Sequence, residues 1–464
     1  MSQTFPRLIP SDKAPNQSAV ILFSLAAICL SAGAAHGVTP AQTSTTTPAL
    51  SVKLTLPQAL KIALDQNPRV QQSLLTLAES GDDRRVAASA LMPTVTAQAF
   101  GQRAKNNLDA FIGIPTPHGP EVVGPFNWGQ MGVEARVSLF DLSLWRRWRA
   151  SQNAETSARA QGRAVREEIA ALVVGQYLLA LRASASVQAG ESRVGLADAL
   201  AKLAENQQKQ GVGTKLDTLR SQLQVQTERQ RLIQAQTQRL TALAGLGRLL
   251  SLEPGTLIEL TDSLAAPALP MVGFQDAYQT GLAQRPELAA LDARAQAAEN
   301  LRQAAQGLRL PTLYATGAFN STGLQSQPWV PTYQLSLGVR VPLFTGGLVS
   351  SQVSRAKSEQ ARIHESQREV RAQVGYEIQV SQAELEAAVH EVEVADLAVA
   401  LSTEALTQAR HRFEAGVSNN IEVINAQDEM ARANDNQISA LYRLNQSRAD
   451  LARATGQLET LFAR

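Results

Sequence analysis

The chain is written twice, and that doubling constrains its fold more than any other feature. Pro286 stands 218 positions after Pro68, and Pro311 stands 218 after Pro93. The first pair sits in Gln66-Asn67-Pro68 and Gln284-Arg285-Pro286, the second in Pro93-Thr94 and Pro311-Thr312. Val137-Ser138-Leu139-Phe140 is answered by Val341-Pro342-Leu343-Phe344 at an offset of 204, and Gly211-Val212 by Gly416-Val417 at 205. The offset shortens between Phe100 and Trp128, a Gly/Pro-rich stretch that reads as a loop. An ordered series at nearly constant spacing marks an internal duplication. Each copy predicts the same order: helix, strand, loop, strand, long helix, tight turn, helix. The first copy covers 54–252 and the second 273–460. The linker 253–272 carries Pro254, Gly255, Pro267 and Pro270, which interrupt the helix between copies.

The clearest strand signals are Gly129 to Phe140 and Tyr333 to Phe344. Met131, Val133, Ala135, Val137 and Leu139 alternate with Gln130, Gly132, Glu134, Arg136 and Ser138. Tyr333, Leu335, Leu337, Val339, Val341 and Leu343 alternate with Gln334, Ser336, Gly338, Arg340 and Pro342. A period of two puts the apolar side chains on one face and the polar ones on the other. That suits a half-buried strand of a soluble sheet, and equally a tilted membrane strand of about ten residues. The partner segments, Thr94 to Gln102 and Thr312 to Phe319, alternate less cleanly. They connect through loops holding Pro115, Pro117, Pro120 and Pro125, or Pro328 and Pro331. Each copy thus supplies one hairpin. Four strands cannot close a barrel, and an open edge in lipid leaves backbone groups unpaired. Strands pooled from three chains would give about twelve, enough for a closed barrel with a wet lumen.

Ser143 to Gln210 and Gly347 to Ala415 contain no proline over 68 and 69 residues. Continuous helices of that length span about 100 Å. The returning helices, about Leu216 to Leu250 and Ile421 to Leu461, and the opening helices, about Leu56 to Met92 and Phe274 to Leu310, are shorter. One of each laid end to end would match one long helix. Leu219, Gln226, Ile233 and Leu240 recur every seventh residue beside Leu216 and Leu223, a narrow coiled-coil seam. By itself the seam also fits an ordinary extended coiled coil. With only 5% aromatic residues and 44% hydrophobic ones, rich in alanine, the composition suits thin helix pairs better than a wide core.

Residues 1–34 read as a secretory signal: Arg7 and Lys13, an apolar run from Ala19 to Leu30, and an Ala32-Gly33-Ala34 cleavage site. The single cysteine, Cys29, follows Ile28, where a lipoprotein signal wants a small residue. No later segment has the apolar length of a membrane helix, so a membrane role must come through strands. The net charge of +2, with basic residues dispersed, argues against nucleic acid as partner. No phosphate-binding loop, nucleophile elbow, zinc-helix motif or Cys/His cluster is present, and the five histidines are scattered. The expectation is a protein without catalytic residues, metal or cofactor.

Two tip segments, Gly211-Val212-Gly213-Thr214-Lys215-Leu216-Asp217 and Gly416-Val417-Ser418-Asn419-Asn420-Ile421-Glu422, follow the long helices, and Leu343-Phe344-Thr345-Gly346-Gly347 marks a strand-to-helix join. In their order these elements resemble the TolC-type outer-membrane efflux protein family, from about Leu54 to Leu458. The resemblance implies a long α-helical coiled-coil barrel joined to a β-barrel shared by a homotrimer, four strands per protomer. The barrel would sit in outer-membrane lipid of a Gram-negative bacterium, and the helical tube in the periplasm. Its lower end would close like an iris and dock a periplasmic adaptor (membrane fusion) protein, which joins it to an inner-membrane pump. The implied function is passive export of small molecules such as drugs or toxic compounds. A type I protein secretion duct is the alternative within the same fold, and a non-conducting coiled-coil surface protein the alternative outside it.

Resemblance also suggests where closure is set. Aligned on the turn glycine, Phe413 takes the place of the family's gate tyrosine and Ser418 that of its arginine. Glu422 and Asn425 take two aspartate places, while Asp217 keeps the first-repeat aspartate. Phe413, Ser418 and Asn425 lack the hydroxyl, guanidinium and charge of that pattern. A different contact is therefore expected, with Lys215 or Arg220 reaching Glu422 of a neighbouring hairpin. Asp217 and Glu422 would form an acidic ring favouring cations, or serve their helix N-termini, or both. Gly211, Val212, Gly213, Thr214, Gly416, Val417, Ser418 and Asn419 form the expected adaptor-docking tip.

Overall fold

The computed structural model describes residues 51–107, 122–266, 272–324 and 328–462. The signal segment 1–34 with Cys29, the loop prolines 115, 117 and 120, and the linker prolines 267 and 270 lie outside the described residues. In chain order the elements are β1 (Ser51–Leu54), α1 (Leu56–Gln66), α2 (Pro68–Ser89), β2 (Thr94–Asn107), β3 (Val122–Phe140), α3 (Leu142–Lys209), α4 (Lys215–Leu249) and β4 (Leu257–Leu260). Then follow α5 (Phe274–Gln284), α6 (Pro286–Gly307), β5 (Thr312–Leu324), β6 (Val330–Arg340), α7 (Leu348–Glu414), α8 (Asn420–Ala454) and α9 (Leu458–Phe462).

Each opening helix, expected as one piece, is broken in two. Pro68 and Pro286 offer no N–H, and a residue before proline is pushed out of the helical region. Asn67 and Arg285 accordingly adopt ψ 127° and 117°. Asn67 then caps α2 by accepting from the Arg69 N–H at 2.9 Å. The second clear strand, expected to reach Phe344, pairs only as far as Arg340. Beyond it Pro342 cannot donate to a ladder, and Gly346 and Gly347 turn the chain at φ 56° and 83°. The other strands run longer than expected, β2 to Asn107 and β3 back to Val122.

The predicted end-to-end stacking of returning and opening helices is present. Asn67 Nδ2 donates to the Leu249 carbonyl at 2.9 Å, which sets α2 on the end of α4. Arg285 Nη1 reaches the Ala454 carbonyl at 3.5 Å, which sets α6 on the end of α8. Packing then places the helices side by side as α4-α3-α8-α7 towards the tips and α2-α3-α6-α7 towards the strands. The strands continue that sequence as one antiparallel sheet, β2-β3-β5-β6.

A second layer sits on α3 midway. β1 and β4 pair in parallel, Ser51 opposite Leu257 through Leu54 opposite Leu260. With α1 and α9 they cover Ile169, Val173 and Tyr177 in the largest apolar cluster. The Tyr177 hydroxyl donates to Asp262 at 2.7 Å. By length and composition α3 does hold a stretch apolar enough to cross a bilayer, contrary to the sequence reading. Half of that stretch is buried, and the side chains just named show why: they form the core beneath this layer.

Candidate functional site

Strand register sorts the sheet into two chemically different faces. Directly opposed residues share a face. Val133 lies opposite Ala97 on one side and Phe319 on the other, and Phe319 opposite Tyr333. Continuing the ladder, Val95, Ala99, Met131, Ala135, Val137, Leu313, Ala315, Leu335, Leu337 and Val339 all join that apolar face. Thr96, Gln98, Gln130, Glu134, Arg136, Thr316, Asn320, Gln334, Ser336 and Arg340 occupy the other. The polar face carries its own pairing: Arg136 bonds Glu134 at 3.2 Å, and Arg340 lies over the Tyr314 ring at 5.3 Å. The apolar face is bare, with Tyr333 and Leu335 each 79% exposed. Such a sheet fits lipid on one side and water on the other.

Bare apolar side chains also run down both outer helices. Leu219, Leu223, Ile233 and Leu240 on α4, and Val394, Leu397 and Leu401 on α7, are exposed. Contacts between neighbouring helices fix their heights. Leu232 packs on Gly190, Arg193 bonds Asp435 at 3.0 Å, and Gln437 bonds Asp396 at 2.8 Å. Ile233 on one edge therefore stands level with Leu397 on the other.

At the tips, both turns close the same way. Gly211 and Gly416 adopt φ 78° and 68°, a region glycine enters without penalty. The N–H groups of Val212 and Val417 then return to the carbonyls of Gln207 and Arg412, each at 3.0 Å. Thr214 caps α4 by accepting from the Asp217 N–H, and the Asp217 carboxylate accepts in return from the Thr214 N–H at 3.3 Å. Asn419 caps α8 by accepting from the Glu422 N–H at 3.3 Å. Asp217 thus spends its carboxylate within its own turn.

The structure brings four of the five candidate gate residues together. Phe413 is buried against Leu200, Val423 and Ala426. Its carbonyl accepts from Gln207 Nε2 at 3.3 Å, which ties the two hairpins. The Ser418 N–H donates to the Arg412 carbonyl at 3.3 Å, and Asp217 adjoins Asn420, a residue with no role in the sequence expectations. Asn420 is 1% exposed, and its Nδ2 donates to the Asp217 carbonyl at 3.0 Å and to Ser221 Oγ at 2.6 Å. Glu422 pairs with Arg412 of its own hairpin at 3.2 Å. Neither Lys215 nor Arg220 pairs with it within the chain. Asn425 stays exposed, apart from this network. The Arg412–Glu422 pair has a readable signal: positions ten apart straddling a helix-helix turn face each other, as Gln208 and Thr218 do at 2.7 Å across the first turn.

One network above the tips carries no such signal. Glu228, 3% exposed, takes Arg231 at 2.5 Å and Gln224 at 3.2 Å, with Arg193 at 3.7 Å. Arg193 in turn holds Asp435. Residues far apart in sequence meet here because α3 lies between α4 and α8. A cavity of about 340 Å³ opens beside them, lined also by Leu196 and Met430.

The comparisons agree with this geometry. The outer membrane efflux protein profile matches residues 59–251 and 277–457. Protein CyaE of Bordetella pertussis is 25% identical over 87% of this chain and 84% of its own. The pyoverdine export outer membrane protein OpmQ of Pseudomonas putida is 23% identical over 68% of this chain and 67% of its own. Among solved structures, the open state of the Neisseria gonorrhoeae MtrE outer membrane channel superposes with a TM-score of 0.72 at 18% identity, covering 87% of this chain and 89% of its own. With its profile match spanning both halves, the chain belongs to the outer membrane efflux protein family and resides in the outer membrane of a Gram-negative envelope.

Proposed function

We propose that the chain is one protomer of a trimeric, passive export duct that carries small molecules outward from a periplasmic adaptor and inner-membrane pump. The observation that carries the reading is the four-element wall, unsatisfied along both edges at every level. β2 and β6 are the sheet's edges, with backbone groups open to pairing, and α4 and α7 expose apolar seams. The two edges differ in sequence, so copies join head to tail and the assembly closes as a ring. Three copies bring about twelve strands into one barrel, with the polar face inward around water. Adaptor contact falls to the tips, Gly211 to Thr214 and Gly416 to Asn419, which end the tube. Gate contacts fall to Asp217, Phe413, Ser418, Glu422 and Asn425 in this reading, which also takes in Arg412 and Asn420 because they bond to Glu422 and Asp217. Small-molecule cargo is favoured by the likeness to a protein named for pyoverdine export.

Ile233→Cys combined with Leu397→Cys tests the ring, since the only native cysteine is Cys29. Oxidation should link chains into covalent trimers that conduct ions in a planar bilayer. Dimers that stop growing, or no linkage, would end the ring reading. Cargo is read from a deletion strain: raised dye accumulation with an unchanged secretome supports efflux, and loss of a secreted polypeptide replaces it with type I secretion.

A further inference from the structure

The start of α3, Leu144-Trp145-Arg146-Arg147-Trp148-Arg149, lies outside both the sheet and the tips. Trp145 is exposed, and two guanidiniums stack on its ring, Arg146 at 4.9 Å and Arg149 at 5.0 Å from the centroid. Arg149 also lies 6.0 Å from the Trp148 ring. Among the described residues no carboxylate pairs with Arg146 or Arg149. Asp141 serves as the α3 cap, accepting from the Leu144 N–H at 3.1 Å. The next acid on the helix, Glu155, is taken by Arg84 at 2.7 Å and Arg159 at 3.4 Å. Arg146 has one neutral partner, Asn300 at 3.3 Å.

Two observations say what faces this cluster. The first is its side of the wall. On α3, Arg146 and Ser157 point to α6, through Asn300 and the Ala290 carbonyl, while Glu155 points to α2. At 100° per residue, Trp145 and Arg149 lie between those two sides on one free face, and Arg147 lies on the opposite one. Tyr177, about nine turns further along, continues the Trp145 face and carries the β1–α1–β4 layer. That layer would block a lumen, so this face is the outside of the wall. The second is height. The cluster begins one turn below the end of β3, where Leu139 and Phe140 are exposed and Phe140 opposes Leu313 of the apolar sheet face.

We infer that Trp145, Arg146 and Arg149 form a collar that binds the phosphate of anionic phospholipids in the periplasmic leaflet of the outer membrane. Indole rings settle at the headgroup level, and arginine stems lie along apolar surface with their heads in water. A guanidinium already held over a ring offers its N–H fork to a phosphate with little ordering cost. In the ring assembly the collar repeats in each copy, just under the lipid-facing strands.

The inference rests on the sheet being the membrane-spanning part. The test uses the full-chain protein in lipid nanodiscs of phosphatidylcholine with a minor share of phosphatidylglycerol, counting retained lipids by native mass spectrometry. Wild-type protein should enrich phosphatidylglycerol, and moderate salt should weaken the enrichment. Arg146→Gln with Arg149→Gln should lower the enrichment about tenfold or more, whereas Arg147→Gln on the opposite face should leave it unchanged. Equal retention of both lipids by the wild type overturns the collar while leaving the duct intact. Failure to enter nanodiscs overturns the membrane reading and the collar together. Displacement of the lipid by millimolar inorganic phosphate alone would make this a site for soluble anions, and also overturns the inference.

Discussion

Asn420 and Glu167 show how single side chains act where two elements meet. Asn420 is buried and donates two bonds, to the Asp217 carbonyl and to Ser221 Oγ, and Ser221 Oγ itself donates to that carbonyl at 3.0 Å. Asn420→Ala removes both and leaves the Asp217 carbonyl without this donor, at about 1–3 kcal/mol. Amide exchange over residues 214–222 should rise by roughly 5- to 100-fold, with the trimer otherwise intact. Glu167 lies on α3 beside Glu459 and Glu287. Burial holds its carboxyl above the ordinary carboxylate range; the Glu459 backbone N–H partly offsets this, and the two neighbouring carboxylates add to it. A raised folded-state pKa favours the protonated form in the fold. Its stabilising contribution is complete below the unfolded value near 4.3 and is lost as pH rises through the folded one. Glu167→Gln should therefore raise the melting temperature at pH 7.5, and the gain should vanish near pH 4. Glu422 is half-exposed and its pair with Arg412 is worth at most about 1 kcal/mol. Its weight is electrostatic: if acidic side chains ring the opening, Glu422→Gln should lower cation selectivity in single-channel recordings without unfolding the tip.

At the scale of elements, the helices were legible and their interruptions were not fully so. Proline-free runs and turn glycines placed α3, α7 and both tips, because local backbone chemistry decides them. The breaks at Asn67 and Arg285 are also local, yet apolar periodicity runs Leu56 to Met92 and Phe274 to Leu310 together as single pieces. Helical periodicity continues across a proline even when the backbone does not. β2 and β5 alternate poorly, since Gly101, Ala104, Gly317 and Gly323 dilute the pattern. Their facing emerged only from register against β3 and β6. The same register makes a sharp test. Leu335→Arg puts charge into the apolar face at about 2–4 kcal/mol near a bilayer midplane, whereas Ser336→Arg adds it to the polar face. Trimer yield in the outer membrane should collapse for the first and stay near wild type for the second.

At the scale of the whole molecule, the wall is incomplete by construction. Its apolar seams are exposed and its sheet ends in two edge strands among the described residues, and the Arg193–Glu228–Asp435 network holds α3, α4 and α8 in fixed order between them. Removing Glu228 would take a carboxylate from Arg193 and Arg231, at roughly 1–3 kcal/mol, since Arg193 keeps Asp435 and Arg231 is half-exposed. Glu228→Ala should accordingly lower the trimer's melting temperature, and Glu228→Gln should do so less.

By itself the sequence determined the duplication, the long helices, the turn glycines and the alternation of β3 and β6. All of these follow from spacing along one chain, where sterics and periodicity act between near neighbours. Tertiary structure alone decided the rest: which helix caps which, which face β2 and β5 present, and that Arg412 answers Glu422. It also set Asn420 between the two tips and the arginine-tryptophan cluster on the outer side of the wall. Those depend on packing between segments up to about two hundred residues apart, and no local preference encodes that distance.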